Sequence, residues 1–225
     1  MKKIIRIGTY NIFHAEYVKE DIGAIGRALS DLGIEIAGLQ EVDVGTERME
    51  GLDTLRMIAE AGGYPYYTFS KALDLSGGGY GTAIVSRYPI ISTDTKSLYS
   101  ADLEPRAIGC AVIDIGEKKL PFFNTHVSYE NREIRSIQLS EISTLTGNFH
   151  EFVLTGDFNT ADLSEFSVFK NLKTVNPNLF PSFYKTESAI DHIFLTPNIG
   201  CIDAQMPKLT FSDHYPIWAD VQFDQ

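Results

Sequence analysis

Short apolar runs that end on an acid, an amide or a histidine recur along this sequence and constrain its fold more than any other feature. The clearest run is Phe152-Val153-Leu154, which precedes Gly156-Asp157-Phe158-Asn159. Because α/β sheets present ligand-binding groups at strand ends, we expect a buried strand to end on this acid and amide. Four other runs have the same form: residues 4–7 before Asn11, residues 34–39 before Glu41, residues 120–123 before His126, and residues 209–211 before Asp213 and His214.

The composition is that of a globular protein with an acidic surface. The 225 residues, 44% hydrophobic and 22% charged, can bury a sizeable core. No Pro/Ser-rich linker, low-complexity segment or long charge run divides the chain, so we predict one domain over residues 1–225. Thirty acidic against 19 basic residues give a net charge of −11, which disfavours a broad nucleic-acid-binding surface.

The cysteines and the N-terminus indicate the compartment. Cys110 and Cys201 are the two cysteines and lie in apolar settings, so we expect buried free thiols rather than a disulfide framework. Met1-Lys2-Lys3 imitates the basic start of a signal peptide, but Arg6 interrupts the apolar run that follows. No stretch approaches the roughly 18 apolar residues of a membrane span. These features predict a soluble, cytoplasmic protein without an integral membrane segment.

Hydrophobic periodicity predicts a mixture of helices and strands. Helical spacing marks residues 18–32, 52–61, 131–147 and a short segment near 162–171. Strand-like runs cover residues 3–9, 34–40, 66–70, 82–86, 96–100, 107–115, 119–126, 151–155, 189–195 and 216–223. Hairpins between some strands and helices between others predict an α/β (α+β) fold, with mixed sheets packed face to face and helices outside. The Gly-rich segment at residues 76–79 lacks the Lys of a phosphate-binding loop and is predicted to be a hairpin tip.

Acids and amides at the predicted strand ends suit a phosphate-binding metal site. Glu41 is the leading candidate ligand, because Mg²⁺ takes one or two carboxylates and a buried acid is costly unless it is paired or bound to metal. If the strand extends through Asp157 and Asn159, both side chains point to one face. The alternatives are a Glu that starts a loop and a simple turn at residues 156–159.

The histidines and one arginine complete the candidate site. His214 paired with Asp191 is the usual construction of a general base, and Asp157 is the alternative group that could position the attacking water. Asn11, His126 and Arg106 are candidates for phosphate contacts, since Arg is the preferred bidentate partner for phosphate; unremarkable polar residues at strand ends are the alternative. The histidines expected to take no part are His192, as a structural residue, and His14 and His150, as surface or loop residues.

In combination, these segments resemble the endonuclease/exonuclease/phosphatase superfamily of metal-dependent phosphoesterases. The matching segments occur in the family's order and are residues 9–12, 39–42, 81–90, 124–126, 156–159, 190–194 and 212–217. The resemblance implies a four-layered α/β sandwich, in which two packed mixed β-sheets are flanked by helices. It also implies that Glu41 binds Mg²⁺ or Mn²⁺, with Asn11 and Asp213 beside the metal. Asp191 would pair with His214, and Asp157, Asn159 and His126 would surround the scissile phosphate.

The residues indicate the subfamily less directly than they indicate the family. Val42-Asp43 stands where apurinic endonucleases usually carry a Lys, and Phe13 replaces the Asp of the family's Asn-x-Asp variant. The resemblance is greater to compact bacterial hydrolases, which are also similar to sphingomyelinases and to proteins of GPI-anchor processing. We therefore expect a Mg²⁺- or Mn²⁺-dependent phosphoesterase that hydrolyses a small or lipid-like monoester or diester. The alternatives are a DNA or RNA nuclease and a non-catalytic binding module on the same fold; the sequence leaves the oligomeric state open.

Overall fold

The computed structural model describes residues 3–223, in which two β-sheets pack face to face. Met1 and Lys2, part of the segment considered as a signal peptide, lie outside the described residues. The strands are β1 (Ile4–Asn11), β2 (Ile36–Val44), β3 (Tyr66–Leu75), β4 (Gly78–Ser86), β5 (Ile90–Leu98), β6 (Arg106–Asp114), β7 (Lys119–His126), β8 (Val153–Asp157), β9 (Lys173–Thr174), β10 (Asp191–Leu195), β11 (Ile199–Gln205) and β12 (Ile217–Phe223). The α-helices are α1 (Gly23–Asp31), α2 (Thr54–Gly62) and α3 (Arg132–Thr146), and 3₁₀ helices cover Phe13–Asp21, Glu47–Met49 and Leu163–Val168.

Each sheet is mixed and has one parallel pair near its centre. The first has the order β11-β12-β1-β2-β4-β3 and the second β5-β6-β7-β8-β10-β9. The parallel pairs are β1–β2 and β7–β8, and all other pairings are antiparallel. The carboxyl ends of β1 and β2 therefore carry their last side chains to the same edge, as do those of β7 and β8.

Three apolar clusters separate four layers. The cluster between the sheets includes Ile7, Ile36 and Phe122. A second cluster joins the first sheet to α1 and α2 through residues such as Ile25 and Ile58. A third packs α3 on the second sheet and contains an aromatic group around Phe158. The central strands are apolar along most of their length because both of their faces are covered. The predicted four-layered α/β sandwich is confirmed.

Most predicted elements are present, with shifts that have local causes. The strand at Lys119–His126 has the predicted bounds, and Ser76-Gly77 forms the predicted hairpin turn between β3 and β4. The predicted helix at 18–32 is an α-helix only from Gly23, because Val18 has non-helical φ and ψ angles. The predicted short helix near 162–171 is a 3₁₀ helix at Leu163–Val168.

The expected strand at residues 209–211 is wrong. This segment is a loop between β11 and β12, and Ser212 is held instead by a hydrogen bond from its Oγ to the Asn11 carbonyl oxygen (2.7 Å). The strand at Ile199–Gln205 was not predicted. It is an edge strand with mostly exposed side chains, so it has no apolar face for the sequence to display.

Two β-bulges meet at one glycine of the first sheet. The register shifts between Leu39 and Val42 on β2 and between Lys71 and Leu73 on β3, and Gly81 on β4 is the partner of both Val42 and Lys71. A Cβ at Gly81 would overlap the Ser70 carbonyl oxygen and crowd the backbone at residue 72. Glycine therefore permits the close approach of the bulged strands.

Within residues 3–223, the cysteines form no disulfide bond and no helix is suited to span a membrane. Both cysteines are free thiols. Cys110 is half-buried, but Cys201 is exposed on the edge strand β11, so the expectation of two buried thiols is wrong for Cys201. None of the helices in the described part of the chain has the length and apolarity needed to cross a membrane.

Candidate active site

A cavity of about 590 Å³ opens at the edge of the sandwich where the polar strand ends converge. It is lined by side chains from both sheets and from the loops that follow them. The predicted site residues on its surface are Glu41, Arg106, His126, Asp157, Asn159, Asp213 and His214. Asn11 and Asp191 lie directly behind them and are fully buried. The structure therefore brings together all nine residues that the sequence singled out.

Asp157 lies at the centre of this group. Its Oδ2 atom is 3.0 Å from Asn11 Nδ2, 3.6 Å from His126 Nε2 and 3.7 Å from His214 Nε2. Asp157 is the last residue of β8 and is 1% exposed. Burial, and then the nearby charge of Asp191, raise the pKa of this carboxyl to about 7. The site thus holds a carboxyl group that gains and loses its proton near neutrality.

Asn11 joins the two acids of the site. Its Nδ2 group donates to Glu41 Oε1 and to Asp157 Oδ2, both at 3.0 Å. Its Oδ1 accepts a hydrogen bond from the Phe13 backbone N–H (3.0 Å), which fixes the orientation of the amide. Asn11 ends β1 and has no exposed surface. In this arrangement, both amide hydrogens of Asn11 hold carboxylates in place.

Glu41 owes its position to a bulge rather than to a strand end. It lies within β2, at the register shift, with a φ of +56°, so the expected strand end at Gln40-Glu41 is wrong. The bulge lets Gln40 donate to Asn124 between the sheets (2.6 Å) while Glu41 lines the cavity. Burial raises the pKa of Glu41, but polar contacts with His14 and Asn11 and the charge of His126 outweigh it and lower the pKa to about 2. Glu41 is therefore a permanent carboxylate.

His14 belongs to the site, so its interpretation as a surface or loop residue is wrong. Its Nδ1 lies 3.7 Å from Glu41 Oε2, its side chain is 12% exposed, and Nδ1 has no hydrogen-bond partner among residues 3–223. Phe13, His14 and Ala15 all have φ between +41° and +60°. Three consecutive non-glycine residues in the left-handed region are unfavourable and characteristic of functional segments. This irregular backbone turns His14 toward Glu41.

His214 and Asp191 form the predicted pair. His214 Nδ1 lies 2.7 Å from Asp191 Oδ2, and both side chains are buried. Backbone N–H groups anchor them further, since Asp191 donates to Ser182 Oγ and His214 to Ser212 Oγ (both 3.2 Å). Burial lowers the pKa of His214, but the charge of Asp191 and their hydrogen bond outweigh it and raise the pKa to about 10. The ring is therefore an imidazolium that donates from Nδ1 and presents Nε2 to Asp157.

Arg106 determines the tautomer of His126. Its Nη1 lies 2.8 Å from His126 Nδ1, and a guanidinium has no acceptor. His126 Nδ1 must accept, so the neutral ring carries its proton on Nε2, which is directed toward Asp157. Burial and the charge of Arg106 both lower the pKa of His126 well below its usual range. Arg106, 3% exposed, opens β6 as predicted, and its Nη1 also lies 3.1 Å from Glu104 Oε1.

Asn159 and Asp213 lie on opposite sides of the central acid. The strand ends at Asp157 and Asn159 has a φ of +49°, so the two do not share a strand face. Instead, the Asn159 backbone N–H donates to Asp157 Oδ1, and Asn159 Nδ2 donates to the Val127 carbonyl oxygen (both 2.9 Å). Asp213 Oδ2 accepts a hydrogen bond from Lys185 Nζ at 2.8 Å. Lys185 lies over the rings of Phe13 and Phe183, and no local sequence pattern indicated its ion pair with Asp213.

The remaining histidines match their predicted roles. His192 is fully buried in the aromatic group of the third apolar cluster, with its ring stacked on Phe194 and edge-on to Phe158 and Phe166. His150 is exposed. Other cavity residues that sequence reasoning did not assign to the site include Arg48, Leu73, Leu75, Tyr80, Glu104, Tyr129, Phe183, Thr186 and Ser188. They come from neighbouring strands and loops, and their only sequence signal is proximity to the motifs.

One group of three possible metal ligands occurs within residues 3–223. Asp157, Asp191 and His214 each place a donor atom within 4.8 Å of the others. The contact between Asp191 and His214, however, is a 2.7 Å hydrogen bond, and the imidazolium has no lone pair left for a cation. The carboxylate of Glu41 is ionised and faces the cavity, so it is the better-suited ligand for a hard divalent cation.

Comparisons with solved structures agree with the fold. A protein from Bacteroides thetaiotaomicron described as an endonuclease/exonuclease/phosphatase family protein superimposes with a TM-score of 0.83 at 20% identity over 100% of both chains. A mannosyl-6-phosphatase from the same species has a TM-score of 0.73 at 21% identity, covering 97% of this chain and 100% of its own. D. rerio TDP2, solved with a single-strand DNA product, has a TM-score of 0.77 at 15% identity and covers 97% and 99%.

The sequence itself identifies the family. No curated protein matches the chain by sequence. The family model described as Endonuclease/Exonuclease/phosphatase family, in contrast, matches residues 8–214. That span contains every one of the nine predicted site residues, from Asn11 to His214. The chain therefore belongs to the endonuclease/exonuclease/phosphatase family.

Proposed function

We propose that this protein is a phosphoesterase that uses one Mg²⁺ or Mn²⁺ and hydrolyses a small or lipid-like phosphate ester. The observation that carries the proposal is the convergence of Asn11, His126 and His214 on a single oxygen of Asp157, within 3.7 Å. Donors and acids that meet at one point of a cavity are the arrangement needed to hold a phosphate and activate a water. A binding module would have no need of such a group.

The cation would be held by Glu41, with Asn11 and Asp213 beside it. Carboxylate oxygens are ligands that Mg²⁺ prefers, and Glu41 supplies a partly buried, ionised carboxylate at the cavity surface, oriented by the hydrogen bond from Asn11 Nδ2. Asp213 is 6% exposed and already attracts one cationic group, the Lys185 ammonium. When bound, the cation supplies positive charge for the phosphoryl and leaving oxygens.

Asp157 is assigned the proton transfer, and His214 is assigned the stabilisation of negative charge. The Asp157 carboxylate, with a pKa of about 7, accepts the proton of the attacking water. His214, held by Asp191, donates a hydrogen bond from Nε2 to a phosphoryl oxygen and stabilises its developing charge. The simpler expectation, in which His214 is the base, requires a neutral ring, and the charge of Asp191 opposes that state by raising the pKa of His214.

The other polar side chains position the phosphate. His126 offers its Nε2–H, since Arg106 occupies Nδ1. Asn159 lines the cavity and is held in place by two hydrogen bonds. Arg106 itself is nearly fully buried, and its Nε has no hydrogen-bond partner within residues 3–223. These groups provide fixed donors around a dianion or monoanion without any rearrangement.

The net charge favours a small ester over a nucleic acid. TDP2, a structural neighbour, was solved with a single-strand DNA product and another neighbour is a mannosyl-6-phosphatase, so both substrate classes occur on this fold. A net charge of −11 gives little long-range attraction for a polyanion. Three arginines considered for a basic rim have other partners: Arg132 and Arg135 are paired with Glu165, and Arg87 contacts Ser30 and Tyr64. None of these three lines the cavity.

A turnover panel tests the proposal. Purified protein with Mg²⁺ or Mn²⁺ would be assayed on phosphomonoesters, phosphodiesters, sphingomyelin, inositol phosphates, oligonucleotides and plasmid. We expect metal-dependent hydrolysis of a small or lipid ester, and duplex DNA binding no tighter than about 10⁻⁴–10⁻⁶ M at physiological salt. Efficient, salt-sensitive nicking of plasmid that disappears in Glu41→Gln would instead identify a nuclease. A lack of metal-dependent turnover on every substrate would contradict the enzymatic assignment.

A further inference from the structure

The cavity has a side wall that the proposed chemistry leaves unused. It consists of Arg48, Leu73, Leu75, Tyr80 and Glu104, and it lies beside the acids and histidines described above. Tyr80 on β4 is the cross-strand partner of Asp43 on β2 and of Leu73 on β3. A cavity of about 590 Å³ is within the range that encloses a small ligand. The side wall is therefore placed to contact the part of the ester that departs.

Arg48 is a pre-organised donor on this wall. Its Nε and Nη2 donate to the two oxygens of Asp43 at 2.6 and 2.7 Å. Asp43 has no exposed surface and also accepts from Thr46 Oγ1 (2.6 Å), so the guanidinium is held along one edge. Arg48 Nη1 has no hydrogen-bond partner in the part of the chain that the structure describes, and its side chain remains 37% exposed. The free edge is available to a ligand acceptor.

Tyr80 and Glu104 supply the complementary groups. Tyr80 is 7% exposed, and its hydroxyl, which both donates and accepts, has no hydrogen-bond partner among residues 3–223. Glu104 Oε1 is buried; Arg106 Nη1 lies 3.1 Å away, but the two do not form an aligned hydrogen bond. Among the described residues, the side wall thus offers an unpaired donor edge at Arg48, an unpaired hydroxyl at Tyr80 and the carboxylate of Glu104, whose side chain is 36% exposed.

Apolar surface adjoins these polar atoms. Leu73 and Leu75 are partly exposed on β3. Tyr129 at the cavity mouth is 66% exposed, and neither its ring nor its hydroxyl has a partner among the described residues. A large exposed aromatic ring on a cavity rim is suited to stacking against a ligand. The side wall and Tyr129 together therefore combine apolar surface with several separate polar groups.

We infer that the leaving group is a neutral polyhydroxylated ring, such as a hexose or a cyclic polyol, held by Arg48, Tyr80, Glu104 and Tyr129. The inference rests on the proposed phosphoesterase function and names its substrate class. Ring hydroxyls both donate and accept, which matches the mixed polar atoms, and the C–H face of the ring packs on Tyr129. An acyl chain would leave the free Nη1 edge of Arg48 and the Tyr80 hydroxyl without a partner, and a second phosphate would lie against the carboxylate of Glu104.

Matched substrates test the inference. With Mg²⁺ or Mn²⁺, kcat/KM would be measured for glucose 6-phosphate, mannose 6-phosphate and n-hexyl phosphate. We expect at least one hexose phosphate to exceed n-hexyl phosphate by about tenfold or more, the scale set by one well-made buried polar contact. Equal or higher kcat/KM for n-hexyl phosphate would overturn the inference and leave the phosphoesterase function intact. Absence of turnover on every ester, in folded protein, would overturn the proposed function itself.

Variants of the side wall and of Tyr129 test which residues distinguish the hexose leaving group from the alkyl one. Tyr129→Ala and Tyr80→Phe should lower kcat/KM for the hexose phosphate and leave that for n-hexyl phosphate nearly unchanged. Arg48→Met should do the same, although it unpairs the buried Asp43 carboxylate and its folding must be checked by thermal unfolding. Tyr129 is exposed, so its variant remains informative if Arg48→Met does not fold. Tyr66→Ala, a partly exposed tyrosine outside the cavity, is the control. Equal losses on both substrates in Tyr129→Ala and Tyr80→Phe would contradict the inference.

Discussion

His214 Nδ1 lies 2.7 Å from Asp191 Oδ2, while His214 Nε2 lies 3.7 Å from Asp157 Oδ2. One imidazole thus stands between two buried carboxylates. Asp191 favours the protonated ring, and that positive charge in turn lowers the pKa of Asp157 relative to what burial alone would give. His214 and Asp157 therefore titrate as a coupled pair, so a change at either residue, or at Asp191 beside them, alters the charge state of the pair.

The pH dependence of His214→Gln should distinguish the two possible bases. If Asp157 accepts the proton, the wild-type rate falls as pH drops through about 7, because the carboxyl becomes protonated. Removing the positive charge of His214 raises the pKa of Asp157, so the acid limb of kcat/KM should persist and move to higher pH. Disappearance of that limb in His214→Gln would assign the base to His214 instead. The measurement is a pH–rate profile at constant metal concentration.

The Asp191–His214 pair should act as a unit. Asp191→Asn and His214→Ala should each lower kcat more than they raise KM, with losses on the order of 10²–10⁴-fold, typical of groups that transfer or stabilise a proton. The double variant should be little worse than His214→Ala, since Asp191 acts through the ring. A steady-state double-mutant cycle measures this coupling, and fully multiplicative losses would show that the two residues work independently.

Glu41→Gln should abolish metal-dependent turnover with little loss of stability. The amide keeps the shape of the side chain and can still accept the hydrogen bond from Asn11, but it removes the charge that a hard cation requires. Calorimetric titration with Mg²⁺ or Mn²⁺ and thermal unfolding would measure the two effects separately. Glu20→Gln changes the charge equally at an exposed position and serves as the control. Metal-dependent rates near those of wild type would remove Glu41 from the metal site.

Arg106→Met should remove the constraint that fixes the tautomer of His126. Without the guanidinium, Nδ1 no longer has to accept a hydrogen bond and a positive charge that lowers the pKa of the ring is lost. Nitrogen NMR of the histidine side chains should show Nδ1 unprotonated and Nε2 protonated in wild type, and a mixture or an imidazolium in the variant. Arg106→Lys, which retains a donor, should restore the wild-type pattern in part. An Nδ1–H tautomer in wild type would contradict the assignment.

His192→Phe should flatten the acid dependence of stability. Burial lowers the pKa of His192 to about 4, whereas the unfolded chain takes up this proton near 6.5, so the unfolded state gains protons first as pH falls. The resulting loss of folding free energy is absent above pH 6.5 and reaches about 3 kcal/mol below pH 4. Denaturant unfolding at pH 7 and pH 4.5 would measure it, with the exposed His150→Phe as the control. Equal pH dependence in wild type and His192→Phe would contradict the prediction.

The features that could be predicted from the sequence are those that appear in local hydrophobic patterns and in the family resemblance. Central strands such as β7 and β8 are buried on both faces and read as apolar runs, so their polar ends could be located and their convergence inferred. The bulge at Glu41 could not be predicted, because it depends on how β4 pairs with β2 at Gly81. His14 was missed because three left-handed residues carry no glycine to signal them.

The residues of the side wall could not be predicted from the sequence either. Arg48 reaches the cavity through its ion pair with Asp43, and Tyr80 through cross-strand pairing. Neither relationship has a signature in the order of residues, since the first depends on the turn from Asp43 into a 3₁₀ helix and the second arises only when the sheet is assembled. Substrate contacts of this kind are therefore harder to predict than the residues that carry the chemistry.

The glycine between the two bulges separates two parts of one hairpin. Gly81 fixes the register of β2, β3 and β4 at Val42 and Lys71, next to Glu41, whereas Leu73, Leu75 and Tyr80 lie between that fixed point and the turn at Ser76-Gly77. Changes in the length of the turn can therefore be absorbed beyond Gly81 without shifting the acid. Such a hairpin allows one half to vary its shape while the other stays rigid, so new ligand preferences can arise without rebuilding the reaction centre.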